Sequence, residues 1–158
     1  MIRALLAAAL VAVSLPAMAH DFRLGGLRID HPYGFPSAGG TAAGYMTLTN
    51  EGDAPVTLLS ARSAAVPRVE IHTTEVDAAG VARMIQQERV EIAPGATVAF
   101  APQGLHVMFM GLSGPLAEGD RVTVELVFDK GTLPVEFWIE KRGAAVPAHD
   151  HGAHKHGG

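Results

Sequence analysis

Cysteine is absent from this chain of 158 residues. No disulfide can staple the fold, so the fold must be held together by the packing of its apolar side chains. Any metal site must use ligands other than thiolate. A blue-copper electron-transfer site, which needs a Cys ligand, is therefore excluded.

Basic clusters are also missing. Lys and Arg total 12 against 16 Asp and Glu, which gives a formal net charge of −4, and no run or stripe of basic residues is visible. This balance argues against nucleic acid and anionic membrane as partners. The sequence contains no Gly-x-Ser-x-Gly elbow and no phosphate-binding loop. Common catalytic motifs therefore give no reason to predict an enzyme.

The first 19 residues have the order of a secretory signal peptide. A short basic start at residues 1–3 precedes an apolar run from Ala4 to Leu15, and residues 17–19 form a small-x-small cleavage site. The run is short for a bilayer span and no stop-transfer segment follows it, so a permanent membrane anchor is the less favoured alternative. We therefore expect export to the periplasm, cleavage after Ala19 and no stable membrane insertion afterwards.

From residue 20 onward the chain consists of short alternating segments separated by Gly, Pro, Asn and Asp. Seven or so segments recur at intervals of about 8–12 residues, and none has a long 3.6-residue period, which is typical of an antiparallel β-sandwich or barrel. After Arg142 the composition shifts to Gly, Ala, Pro and His without periodicity. We expect one folded domain, residues 20–142, and a disordered His-rich tail, residues 143–158.

The most informative segment is the alternating run at residues 105–110 (LHVMFM). Successive side chains of a strand point to opposite faces, so the run predicts that His106, Met108 and Met110 face outward while the intervening apolar side chains face a core. Imidazole and thioether are soft ligands that suit Cu(I) and suit Mg, Ca or Mn poorly. The Cα atoms of His106 and Met108 should lie about 6–7 Å apart, so both side chains can reach one ion.

Two further candidates lie upstream, His72 at the end of one segment and Met84 on the next. Between them, residues 77–80 (DAAG) predict a type I turn closed by Gly80 in the left-handed region. A three-residue loop has odd length and keeps His72 and Met84 on one face of the hairpin, whereas an even loop would separate them. Met46 and Met110 are instead predicted to be core or rim side chains, because Met fills irregular gaps.

The spacing of four residues resembles the motif His-(Met)-x10-Met-x21-His-x-Met of the PCuAC family of periplasmic copper chaperones. Residues 43–50, 70–74 and 106–112 are also similar to that family, and the resemblance covers nearly all of the predicted domain. It implies a cupredoxin-like all-β sandwich, without enzymatic activity, that binds Cu(I) through His72, Met84, His106 and Met108. It further implies delivery of the metal to an acceptor such as the binuclear copper centre of cytochrome c oxidase subunit II, alongside a Sco-type protein.

The sequence departs from the family pattern in two places. Thr73 stands where the family often has a second Met, so this position supplies no auxiliary ligand. Residues 31–33 (HPY) stand where a Pro-Trp pair is common. The four-residue donor set is still coherent chemically, since two neutral imidazoles and two thioethers carry no charge and favour a soft, monovalent ion.

Other histidines leave alternatives open. The tail has four of them around Asp150, namely His149, His151, His154 and His156. They predict either a solvated end or an auxiliary site for Cu(II) or Zn(II). Cleavage after Ala19 would make His20 the N-terminus, where amine and imidazole together can chelate Cu(II). A copper enzyme built on this chelate would need a second histidine, from His31 or His106. A copper storage or resistance protein, and an interaction module with incidental His and Met, are the remaining alternatives.

Overall fold

A computed structural model describes residues 21–143, and these residues form strands and connecting turns without a helix. No helix long and apolar enough to cross a membrane occurs in this part of the chain. The strands are β1 (Phe22–Leu24), β2 (Leu27–Gly34), β3 (Gly40–Asn50), β4 (Val56–Arg62), β5 (Arg68–Val76), β6 (Ala82–Gln86), β7 (Val90–Ile92), β8 (Thr97–Phe100), β9 (His106–Leu112), β10 (Arg121–Phe128) and β11 (Gly131–Ile139).

The strands follow one hydrogen-bonded path in the order β6-β5-β9-β3-β2-β11-β10-β4-β7, with β1 paired to β2 and β8 paired to β3. Strand β3 changes partner along its length, because residues 40–44 pair with β9 and residues 46–49 pair with β8. Such a change of partner is how a long strand serves two layers of a sandwich. The all-β fold expected from the alternating segments is confirmed.

Alternation of apolar and polar side chains explains which face of each strand is buried. In β9, Val107 and Phe109 are fully buried, and in β5 Ile71 is buried in the same way. Their neighbours in sequence therefore project from the opposite face of the sheet. The rest of the core comes from the same pattern in the other strands, including Leu27, Ile29, Met46, Leu48, Leu58, Val124, Leu126, Val135 and Phe137.

Gly44 marks the closest approach of side chains to the backbone in this core. It pairs with Val107 on β9 and with Gly34 on β2. A Cβ atom at this position would lie 2.7 Å from Phe137 Cδ1 and 2.8 Å from Phe109 Cζ, so only glycine fits without displacement. The space admits the edge-to-face pair of Phe109 and Phe137, whose ring centroids are 5.6 Å apart. This aromatic pair supports β9 from the side opposite His106 and Met108.

The structure differs from the sequence-based expectation in three respects. The described residues contain eleven strands rather than seven or so, because β1 and β2 were not identified and short strands were not all counted separately. Alternation fails in β2 because a bulge shifts its register between Asp30 and Tyr33, and His31 has a positive φ of 46°. The pairing is also not wholly antiparallel, since β11 runs parallel to β2.

Several predicted features lie outside the described residues. The signal peptide at residues 1–19, the candidate N-terminal chelate at His20 and the His-rich tail from residue 144 onward belong to this group. The limits proposed for the domain, residues 20–142, therefore stay a prediction.

Candidate metal centre

The candidate ligands lie at one end of the sheet, on β6, β5 and β9. His72 is paired directly with His106, and Glu70 is paired with Met108. On the other side of β5, Thr74 is paired with Met84. Paired residues and residues two apart along a strand share a face, so His72, Met84, His106 and Met108 all project from the same face. His72 lies at the centre of the group, opposite His106 and diagonal to both methionines.

The turn between β5 and β6 fixes this arrangement. Gly80 N–H donates to the Asp77 carbonyl at 2.9 Å, and Gly80 has a φ of +80°. Asp77 Oδ1 also accepts from the Ala79 and Val81 amides, at 3.0 and 2.9 Å. The three residues 78–80 form the loop, so its length is odd and the predicted shared face of His72 and Met84 is confirmed.

The two imidazoles are close together and mostly shielded from solvent. Their ring centroids are 5.9 Å apart with an interplanar angle of 64°. Only 14% of the His72 side chain is exposed, and His106 is 3% exposed. The expectation that His106 faces outward is therefore only half right, because its face of the sheet is correct but the side chain is buried. The turn at residues 101–105 folds back onto β5, where Thr74 N–H donates to the Gly104 carbonyl at 3.2 Å.

Hydrogen bonds determine which nitrogen of each ring is available. His106 Nδ1 lies 3.0 Å from the Gly104 carbonyl oxygen, which can only accept, so Nδ1–H donates and Nε2 carries the lone pair. His72 Nε2 lies 2.8 Å from Glu70 Oε2 and donates to this carboxylate, so its lone pair is on Nδ1. The remaining atoms, His72 Nδ1 and His106 Nε2, are both buried without a hydrogen-bond partner.

Buried polar atoms without a partner are rare and usually have a function. Here each ring donates one N–H to a protein oxygen and leaves the other nitrogen free. This is the arrangement seen at metal-ligating histidines, where an acceptor in the second layer fixes the tautomer and the ring orientation. The residues present therefore fit a metal ion.

The sulfur donors have unequal environments. Met108 is partly buried on β9, next to His106 on the same face. Met84 is 59% exposed and lies on β6, whose five residues are all exposed. Met84 is consequently the candidate donor most accessible to another molecule. The other two sulfurs within residues 21–143 are engaged elsewhere, since Met46 is in the core and Met110 Sδ accepts from Arg68 Nη2 at 3.2 Å.

The candidate direct ligands of this centre include no carboxylate, although Glu70 contacts His72. Within residues 21–143, no group of three or more His, Cys, Asp or Glu side chains is arranged to hold a metal ion. The described part of the chain thus contains no metal site made only of imidazole and carboxylate groups. The free donors beside the two imidazole nitrogens are thioethers, which favour a soft ion.

An aromatic cluster flanks the centre on the same face of the sheet. Ala43 pairs with Met108, so Tyr45, two residues further along β3, faces the same way on the His106 side. Tyr45 packs with Tyr33 and Phe35, at ring-centroid distances of 5.3 and 5.8 Å. Burial raises the pKa of the Tyr45 hydroxyl, and burial together with Tyr45 and Glu140 raises that of Tyr33. The cluster is therefore uncharged at neutral pH.

Three further residues have defined positions in the structure, namely His31, Thr73 and Glu70. His31 Nε2 is 2.7 Å from Glu140 Oε1, so this nitrogen is already engaged. Thr73 lies on the opposite face from His72, paired with Ile85. Glu70 was not predicted to have a role at the centre. Alternation alone places it on the ligand face, two residues before His72, and this signal could have identified it.

Comparison with known proteins identifies the family. The family model described as "Putative lipoprotein LpqE-like" matches residues 27–139. The chain belongs to the LpqE-like family. It is 29% identical over 127 residues to the protein named "Putative lipoprotein Lxx21020" of Leifsonia xyli subsp. xyli, and the match covers 78% of this chain and 76% of that protein.

Solved structures with a similar fold include PCuAC domains. The copper-bound PCuAC domain from PmoF2 has a TM-score of 0.64 and 25% identity, and the match covers 77% of this chain and 98% of that domain. The solution structure of Cu(I)-bound DR1885 from Deinococcus radiodurans has a TM-score of 0.51 and 29% identity, with 70% and 77% of the two chains covered. The resemblance to PCuAC proteins inferred from the motif is confirmed.

The unpartnered nitrogen of His106 leads to a prediction about stability without metal. A buried polar atom that lacks a partner costs about 1–3 kcal/mol. His106→Leu removes this atom, and the Gly104 carbonyl keeps its hydrogen bond from Thr74 N–H. We expect the metal-free variant to unfold in urea with a free energy equal to that of the wild type, within about 1 kcal/mol, or higher.

Phe109→Ala is the matched control on the same strand, because it empties a fully buried core position. It should lower the free energy of unfolding by about 3–5 kcal/mol. A comparable loss for His106→Leu would show that His106 is a structural side chain and not a ligand held ready at a cost.

Proposed function

We propose that this protein is a copper chaperone that carries Cu(I) on His72, Met84, His106 and Met108. The observation that carries the proposal is the pair of buried, unpartnered imidazole nitrogens, which face the same side of the sheet as Met108. The likeness to the copper-bound PCuAC domain from PmoF2 and to Cu(I)-bound DR1885 supports it.

The donor set selects the oxidation state. Two neutral imidazoles and two thioethers bring no negative charge, so a monovalent ion is less penalised than a divalent one when it enters a half-buried site. Thioether sulfur also prefers Cu(I), whereas Zn(II) is usually bound with thiolate, carboxylate or additional imidazole. The described centre offers no thiolate and no third imidazole, and its carboxylate, Glu70, already contacts His72 and Arg68.

The decisive experiment is substitution of each proposed sulfur ligand. Met84→Leu and Met108→Leu keep the approximate volume and remove only the donor atom, so the domain should remain folded. Loss of a second-layer residue already costs about 10–100-fold in metal affinity, and loss of a direct ligand should cost at least as much. We expect the Kd for Cu(I), measured by competition with a chromophoric chelator, to rise at least tenfold in each variant.

Met110→Leu is the matched control. Met110 shares the strand and the face of Met108, but its sulfur is engaged by Arg68. Its Cu(I) affinity should equal that of the wild type. Wild-type affinity in both Met84→Leu and Met108→Leu would refute the proposed ligand set.

Exposure of Met84 suggests how the ion leaves. An acceptor can approach Met84 on the edge strand β6 without disturbing the two buried rings, and can replace one thioether before the others dissociate. Thioethers bind copper more weakly than thiolates, so transfer to an acceptor with thiolate ligands would be favourable in free energy.

We propose that the protein acts outside the cytoplasm, in the periplasm. The name of the relative from Leifsonia xyli, which describes a lipoprotein, supports this location.

We propose cytochrome c oxidase subunit II as the acceptor, with a Sco-type protein as a further partner. In a strain lacking this protein and grown in limiting copper, oxidase activity should fall, and the wild-type gene should restore it. A gene with Met84→Leu and Met108→Leu combined should not restore activity. Full oxidase activity in the deletion strain would instead favour copper storage or resistance as the main role.

The His-rich tail is proposed as an auxiliary collector of Cu(II), through His149, His151, His154 and His156. Imidazoles beside a carboxylate suit this ion. Deletion of residues 148–158 should lower the Cu(II) stoichiometry measured by titration and leave the Cu(I) affinity of the main site unchanged. An unaltered Cu(II) stoichiometry would refute this role.

A copper enzyme built on His20 receives less support than a carrier. Of the two histidines considered as its second ligand, His106 belongs to the proposed Cu(I) site. His31 contacts Glu140 and belongs to no group of three or more His, Asp or Glu side chains that could hold a metal ion within residues 21–143. The proposal therefore assigns no catalytic residue.

A further inference from the structure

Glu70 lies on the same face of the sheet as the four proposed ligands and contacts one of them, His72, but is not itself one of the four. It lies on the ligand face of β5, paired with Met108 and two residues before His72. Its side chain is 22% exposed, so it is largely withdrawn from solvent. Both carboxylate oxygens have partners. Oε2 accepts from His72 Nε2–H at 2.8 Å, and Oε1 lies 3.5 Å from Arg68 Nε.

This contact decides which nitrogen of His72 can bind a metal. An isolated neutral imidazole can carry its proton on either nitrogen, and only the other nitrogen has a lone pair. A carboxylate that accepts from Nε2–H holds the proton there and leaves the lone pair on Nδ1. It also restricts rotation of the ring.

We infer that Glu70 is a positioning residue that presents His72 Nδ1 to Cu(I), an inference that rests on the proposed function. Glu70 is not itself a ligand in this scheme. Its oxygens are taken by His72 and Arg68, and it contacts the ring at the nitrogen that does not bind the metal. The equivalent for His106 is the Gly104 carbonyl, a backbone group that no substitution of a side chain can remove.

Arg68 completes this arrangement from the other side. Its guanidinium contacts Glu70 Oε1 and also donates to Met110 Sδ at 3.2 Å. The same side chain therefore contacts both the carboxylate that accepts from His72 and the sulfur of Met110. The contact with Arg68 gives the second carboxylate oxygen of Glu70 a partner besides His72.

The test compares Glu70→Ala with Glu75→Ala. Both changes remove one carboxylate from β5, but Glu75 is exposed and lies on the opposite face, paired with Arg83. We expect Glu70→Ala to raise the Kd for Cu(I) by about 10–100-fold and Glu75→Ala to leave it unchanged. An equal rise in Kd for both variants would overturn the inference, because it would show that only the negative charge of Glu70 matters and not its contact with His72.

A second readout separates positioning from general stabilisation. Long-range proton–nitrogen NMR spectra of the metal-free protein report which nitrogen of His72 is protonated. We expect the proton on Nε2 in the wild type and a mixture of tautomers in Glu70→Ala. A proton on Nδ1 in the wild type, or identical spectra for the two proteins, would overturn the inference.

A double-mutant cycle ties the effect to His72. In a His72→Ala background, Glu70→Ala should cause no further loss of Cu(I) affinity, because the ring that it positions is gone. An undiminished loss would contradict the inference. Failure of the proposed function can be told apart from failure of this inference. If the proposed function is wrong, the wild type and His72→Ala will bind Cu(I) equally well. The NMR spectra would still show whether Glu70 contacts His72.

Discussion

The antiparallel pairing of β5 with β9 is the interaction on which the candidate centre depends. It sets His72 opposite His106 and Glu70 opposite Met108. Side chains alternate along a strand, so a slip of one residue would turn one strand's donors into the core and separate the two rings. The register is held from the core side by Ile71, Val107 and Phe109, which are buried and would be expelled by the same slip. Packing of the core thus specifies which face carries the proposed ligands.

The centre is prepared before any ion arrives. One nitrogen of each ring is fixed by an acceptor, the other is free and buried, and the protein bears the cost of leaving it without a partner. Met84, by contrast, is exposed on an edge strand. A carrier needs both properties, since buried donors provide selectivity and an accessible donor provides a route for exchange. The largely buried strand β9 and the exposed strand β6 supply them in one sheet.

Much of this arrangement could be predicted from the sequence, because it depends on periodicity. Alternation at residues 105–110 gave the correct face of His106 and Met108, and the odd loop closed by Gly80 gave the correct face of Met84. The burial of His106 could not be predicted in this way, since it results from a turn at residues 101–105 that folds back onto β5. Strand β2 could not be predicted for a related reason, because a bulge near His31 interrupts the alternation of apolar and polar residues. The contact of Glu70 with His72 required coordinates, as alternation gives a shared face but not a hydrogen bond.

X-ray absorption spectroscopy of the Cu(I)-loaded protein tests the central claim most directly, because it counts the nitrogen and sulfur atoms bound to the metal. The account predicts two nitrogen and two sulfur neighbours in the wild type, and one sulfur fewer after Met108→Leu. A copper shell made only of nitrogen and oxygen, or one unaffected by loss of Met108, would contradict it.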